Sequence, residues 1–104
     1  MKLKLSVFLL SALCAVQVAP ASAATSTKRI AFSNNYAGNS WRQAMLKSFG
    51  AVAKKAVANK IVAAADVFTA ADTSVPTQAA QIQNLILQGY DAIVINASSP
   101  TALN

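Results

Sequence analysis

The sequence predicts an α/β fold built on a parallel sheet, beginning β-α-β-α-β. Two observations carry this. Short apolar runs alternate with amphipathic segments of helical length, and the last apolar run, Ala92 to Ile95, is unbroken by a polar residue. Alternation of this kind gives parallel strands with right-handed crossovers. An unbroken apolar strand is what a parallel sheet covered on both faces requires.

The chain opens with a segment expected to lie outside the fold. Lys2 and Lys4 form a positive start, Leu5 to Ala19 is apolar, and Ala21-Ser22-Ala23 follows the break at Pro20. That is the pattern of a cleaved secretory signal over residues 1–23. Its apolar run falls short of the ~20 residues that span a bilayer. Cys14 follows Leu13, which is not small, so it reads as filler rather than as an acylated cysteine. Residues 24–104 form the expected domain. They carry seven basic and three acidic residues, a net charge of +4, with no cysteine and no histidine. No disulfide framework, thiol chemistry or His-containing metal site can be built from that set. The basic residues follow one helix and its ends without interleaved aromatics, so a solvated face is expected and nucleic acid is not.

Arg29 to Ser33 predicts a short buried strand. Asn34 to Asn39 is loop, with Gly38 supplying backbone freedom. A helix is expected from Ser40 to Ala58, with Trp41, Met45, Phe49, Val52 and Ala56 as its apolar stripe and Gln43, Lys47 and Lys54 opposite. Asn39 or Ser40 suits the N-cap, and Asn59 can close the other end. Ile61 to Phe68 reads as the second strand, and Thr69 to Ser74, with Asp72, as loop. The second helix is expected from Val75 to Gln88, with Val75, Ala79, Ile82, Leu85 and Ile86 on one face. Pro76 fits its first turn, and Gly89 stands where a C-terminal glycine belongs. Asp91 to Asn96 is the third strand. Ser98 to Leu103 reads as the start of another helix, so the sequence is expected to be the amino-terminal piece of a longer protein.

In such a sheet the three loops after the strands share one rim, where small ligands are held. They carry Ser33, Asn34, Asn35 and Asn39, then Asp72, then Asn96, Ser98 and Ser99. Asn offers a donor and an acceptor together and Asp accepts twice; Tyr36 or Trp41 can pack on a sugar ring. The set suits a neutral polyol, although Asn, Ser and Asp are also ordinary turn and cap residues. Arg42 lies inside the apolar arc of its helix, where a charge is out of place; a ligand contact and a snorkelling stem both account for it. Trp41 is open to packing or to stacking on ligand. No nucleophile turn, metal spacing or Gly-rich phosphate loop is present, so no catalysis and no cofactor are expected.

Ile30-Ala-Phe-Ser-Asn-Asn, Asn39-Ser-Trp-Arg, Gln81-Ile-Gln-Asn-Leu-Ile, Gly89-Tyr-Asp-Ala-Ile-Val-Ile-Asn and Ser99-Pro-Thr-Ala-Leu together resemble the sugar-binding proteins of ABC transporters. The group is the ribose- and galactofuranose-binding-like branch of the type I periplasmic binding proteins. The resemblance covers the whole segment after residue 23. It implies an incomplete amino-terminal lobe, a second lobe and a hinge beyond this sequence, and capture of a sugar by lobe closure. It further implies a periplasmic, monomeric protein that hands its ligand to a membrane ABC permease. Carried over by position, Ser33, Asn34, Asn39, Ser40, Trp41 and Arg42 match where the family contacts sugar. Asp72 and Asn96 match rim positions used in some members. Ser40-Trp41-Arg42 is more similar to the galactofuranose branch, and Ala97 stands where many relatives carry proline. A sensory module for chemotaxis or two-component signalling would use the same fold. An exported α/β enzyme would need catalytic residues outside this sequence. The repressors that share this lobe would carry a DNA-binding headpiece where this chain has its leader.

Overall fold

The structure, a computed structural model, describes residues 24–104; the expected leader at 1–23, with Cys14, lies outside the described residues. Five elements follow in order: β1 (Arg29–Asn34), α1 (Ser40–Ala58), β2 (Ala64–Thr69), α2 (Val75–Leu87) and β3 (Ala92–Asn96). The strands form one parallel sheet in the order β2-β1-β3. In register, Phe32 of β1 lies between Val67 and Val94, and Asn34 between Thr69 and Asn96.

Successive strand residues point to opposite faces, and β1 shows where each helix sits. Phe32 meets Phe49 of α1, with ring centroids 4.9 Å apart. Its neighbour Ser33 donates to Gln81 Oε1 of α2 at 2.6 Å. The two helices therefore cover opposite faces, and β1 runs through the middle. Ala31, Phe32, Ser33 and Asn34 are all buried, and Ala53 from α1, Leu85 from α2 and the loop residues Val62 and Ala70 join them in the core.

The first helix keeps its expected bounds. Asn39 is its N-cap, extended, and its side chain accepts from the Arg42 backbone N–H at 2.8 Å. The apolar stripe is turned from the expected one. Ala53 is the buried residue of α1, whereas Trp41 is 66% and Val52 70% exposed. The reason is the site of contact: α1 packs where Phe49 meets the sheet, and Trp41 lies in the first turn, above the strand ends.

The second strand begins at Ala64, not Ile61. Ile61 is used in ending α1, Val62 is buried in the core, and Ala63 leads into the strand, its N–H bonded to Lys28 O at 2.8 Å. The Lys60 N–H bonds Val57 O at 3.0 Å and the Ile61 N–H bonds Ala56 O at 2.9 Å. Lys60 adopts a left-handed φ of 57°, which completes a Schellman closure. Gly89 closes α2 in the same way at φ 79°, through Gly89 N–H to Ile86 O and Tyr90 N–H to Leu85 O.

β3 departs from the expectation of cover on both faces. Val94 is 47% and Ile95 42% exposed. β1 is the central strand and β3 an edge. Val94 shares the Phe32 face, where α1 packs on the β2 side, and Ile95 shares the Ser33 face, where α2 packs on β1. β3 is therefore partly bare on both faces. An apolar crevice of about 310 Å³ remains on the Phe32 face between Ile30, Phe49, Val52, Ala56 and Val94. Ile86, expected on the packed stripe of α2, is 61% exposed, because Gln78 and Leu85 define the buried line of that helix. The expected helix after Ser98 is present as a turn. Ser99 Oγ accepts from the N–H groups of Thr101 and Ala102, at 3.3 and 3.1 Å, as a helix cap would, and no helix follows within the described residues.

Candidate functional site: the carboxyl rim of the sheet

All three strands are parallel, so their following loops gather on one rim. The row that closes the sheet there is polar. Asn96 Nδ2 donates to Asn34 Oδ1 at 2.9 Å, and Asn34 Nδ2 donates to Tyr36 O at 2.8 Å and to Thr69 Oγ1 at 3.4 Å. Asn34 has no exposed surface. Its amide ties three strands and the first loop together, and its donors and acceptor are spent in doing so. Ser33 is equally buried and faces α2, bonded to Gln81 and Gln78.

The remaining expected site residues are placed differently. Asn39 caps α1, and Ser40 and Trp41 stand exposed at its start. Arg42 sets its guanidinium 5.8 Å from the centre of the Tyr36 ring. That ring lies across Gly38, where an added Cβ would run into the phenol. Gly38 thus serves close approach of a side chain. Asp72 is exposed and accepts from the Ser74 backbone N–H at 2.9 Å, just ahead of α2. The hydrogen bonds from Ser74 hold its carboxyl below the ordinary aspartate value. Asn34 and Asn96 are thus joined directly, Asn39 and Arg42 through one cap bond, and Asp72 stands apart at the end of the β2 loop.

Among the described residues, three buried side-chain atoms have no hydrogen-bond partner: Asn35 Oδ1, Arg42 Nε and Ser98 Oγ. Buried polar atoms are nearly always paired, so each unpaired one calls for an explanation. All three belong to this rim. Asn35 follows β1, Arg42 lies in the first turn of α1, and Ser98 follows β3. Asn35 is 4% exposed and donates to Ala97 O at 3.3 Å, which leaves its acceptor free. Together they offer an acceptor, a charged donor and a hydroxyl.

One buried polar residue escaped the sequence reading. Gln78, with no exposed surface, sits under the β3 loop and bonds β1, β3 and Ser98. A signal for it existed. It lies at i+3 from Val75 and at i−4 and i−7 from Ile82 and Leu85, a polar residue on an apolar line.

A periplasmic binding protein domain matches residues 30–104, from the first strand onward. The chain belongs to the periplasmic binding protein family. Among solved structures, the ABC transporter solute binding protein from Thermobispora bispora DSM 43833 superposes with a TM-score of 0.71 at 44% identity. The match covers 74% of this chain and 24% of that one, so this chain spans about a quarter of its structural relative. Curated protein sequences give no match. The three-stranded sheet and its two helices agree with the start of a periplasmic-binding-protein lobe.

Proposed function

We propose that this chain contributes one wall of a sugar site in the substrate-binding component of an ABC import system. Capture occurs by closure of two lobes around the ligand, and no covalent chemistry is involved. The observation that carries the proposal is the set of unpaired atoms on the carboxyl rim, Asn35 Oδ1, Arg42 Nε and Ser98 Oγ. A sugar hydroxyl donates and accepts at once, so one ligand can satisfy an amide oxygen, a guanidinium N–H and a serine hydroxyl. Exposed Trp41 and Tyr36 add aromatic faces on the same rim. A carboxylate ligand would call for a charged clamp of several donors; Arg42 alone among the rim side chains carries a positive charge.

Of the residues first expected at the site, Arg42 and Trp41 are proposed as direct contacts, with Asn39 and Ser40 presenting the helix start. Asn35 and Ser98 join them. Ser33, Asn34 and Asn96 hold the rim in shape, and Asp72 orders the loop ahead of α2. The protein is proposed to act in the periplasm, delivered there by the leader at residues 1–23, as a monomer that presents its ligand to a membrane permease.

Calorimetric titration of the two-lobed protein that carries this chain as its first wall, with D-ribose, L-arabinose, D-galactose and D-glucose, tests this reading. Saturable heat with one of them, with the affinity about tenfold weaker in Arg42→Ala, is expected. Absence of binding to all four by the parent protein, or an unchanged affinity in Arg42→Ala, would remove the proposed role.

A further inference from the structure

Gln78 makes more tertiary hydrogen bonds than any packing role requires. Its Nε2 donates to Asn96 O at 3.0 Å, to Ser33 Oγ at 3.2 Å and to Ser33 O at 3.4 Å, while its Oε1 accepts from the Ser98 N–H at 2.7 Å. The orientation of this amide is forced. Asn96 O can only accept and the Ser98 N–H can only donate, so nitrogen must face the strand and oxygen the loop. These are the two backbone groups that flank Ala97 as β3 ends. The third group of that turn, Ala97 O, accepts from Asn35 Nδ2 at 3.3 Å.

We infer that Gln78 is a positioning residue, whose side-chain amide continues the β3 ladder past the end of the strand and fixes the Ala97–Ser98 turn. A turn at the end of an edge strand would otherwise be among the first segments to open, since its backbone groups lack ladder partners. Held from below by Gln78 and from the side by Asn35, the turn presents Ser98 Oγ at a constant place on the rim. The buried amide thus holds the turn as a fixed wall of the rim. A buried polar group that is fully bonded specifies one arrangement, whereas a half-bonded one penalises the fold. Gln78 belongs to the first kind.

This inference rests on the sugar-wall reading for its purpose but not for its test. Amide hydrogen exchange of the unsubstituted protein, read at single residues, comes first. Ser98 N–H is expected to be protected like a ladder amide of β1 such as Phe32. Exchange at the rate of an open loop would overturn the inference. In Gln78→Met, which keeps the length and apolar bulk of the side chain, protection at Ser98 is expected to fall about tenfold or more, the scale of one lost buried hydrogen bond, with Phe32 and Leu85 little changed. An equal fall at Phe32 and Leu85 would show a global role and overturn it, as would an unchanged Ser98. Ser33→Ala, which removes an auxiliary acceptor, is expected to leave Ser98 protected. Titration of Gln78→Met with the four sugars completes the comparison. Weakened binding is expected; if the parent binds none of them, the sugar reading fails while the exchange data still decide the strut.

Discussion

Arg29 and Arg42 each stand over a tyrosine, at opposite ends of the same strand-helix unit, and they differ in everything else. Arg29, at the amino end of β1, lies 4.3 Å from the centre of the Tyr90 ring, and its Nη1 donates to Gln88 O at 2.9 Å. Its backbone N–H bonds Asp91 Oδ2 at 2.8 Å, Lys28 pairs with the same carboxylate at 3.3 Å, and Tyr90 Oη donates to Asp66 at 2.8 Å. Each of these residues is bonded to another part of the chain, and the cluster joins the end of α2 to the start of the sheet. Arg42, past the carboxyl end, has a looser ring contact at 5.8 Å and a buried Nε with no partner. One end of the sheet is closed by its own residues, and the other keeps unpaired atoms. That is the difference on which the proposed ligand site rests.

The comparison breaks first at Asn34, which is on the open rim yet behaves like a residue of the closed end. Asn34→Ala is expected to lower stability by about 2–3 kcal/mol, because it strands the partners of a fully buried amide; chemical denaturation measures this. An effect within experimental error would mean the polar row does not hold the strands. Arg42→Ala should show the reverse profile. Sugar affinity is expected to fall about tenfold, equivalent to about 1.4 kcal/mol, with the unfolding midpoint nearly unchanged. Arg29→Ala is expected to cost about 1 kcal/mol of stability, from its ring contact and carbonyl bond, and to leave sugar affinity alone. Should Arg29→Ala weaken binding as much as Arg42→Ala, the two ends would not be functionally distinct.

The smallest effect concerns acid. The Arg29 backbone N–H, with help from Lys28, holds the Asp91 carboxyl below the ordinary aspartate value of 3.8. A folded-state value below the unfolded one adds stability that is fully present above pH 3.8 and is lost as pH falls through the lowered value. Asp91→Asn should therefore cost stability at neutral pH and flatten the acid limb of the stability profile. Asp72, lowered by Ser74, titrates in the same direction. Asp72→Asn is expected to flatten the same limb without disturbing the amino-end cluster.

Periodicity and cap residues carried most of the fold. The bounds of α1 follow from Asn39 and the apolar spacing, and Gly89 marked the end of α2 in advance. Lys60 did not mark the end of α1, because a left-handed residue other than glycine leaves no signature in composition. Ile61 to Ala63 read as strand by composition, yet the strand begins only at Ala64. β3 was expected to be buried because its sequence is as apolar as a central strand; which strand sits in the middle is decided by pairing, not by hydropathy. The rim was legible as a place, and Arg42 as a charge on the wrong side of its helix. The division of labour within the rim was not. Whether an asparagine is spent or free depends on partners distant in sequence, as with Asn34 and Asn96, and Gln78 sat unnoticed on an apolar line for the same reason.

The most direct measurement follows backbone amide signals of these residues within the proposed two-lobed protein during titration with the four sugars. Binding by the open rim predicts saturable shifts at Asn35, Arg42 and Ser98 with one sugar, while Lys28, Arg29, Tyr90 and Asp91 stay in place. Shifts confined to the Arg29–Tyr90 end, or no saturable shift with any of the four, would contradict it.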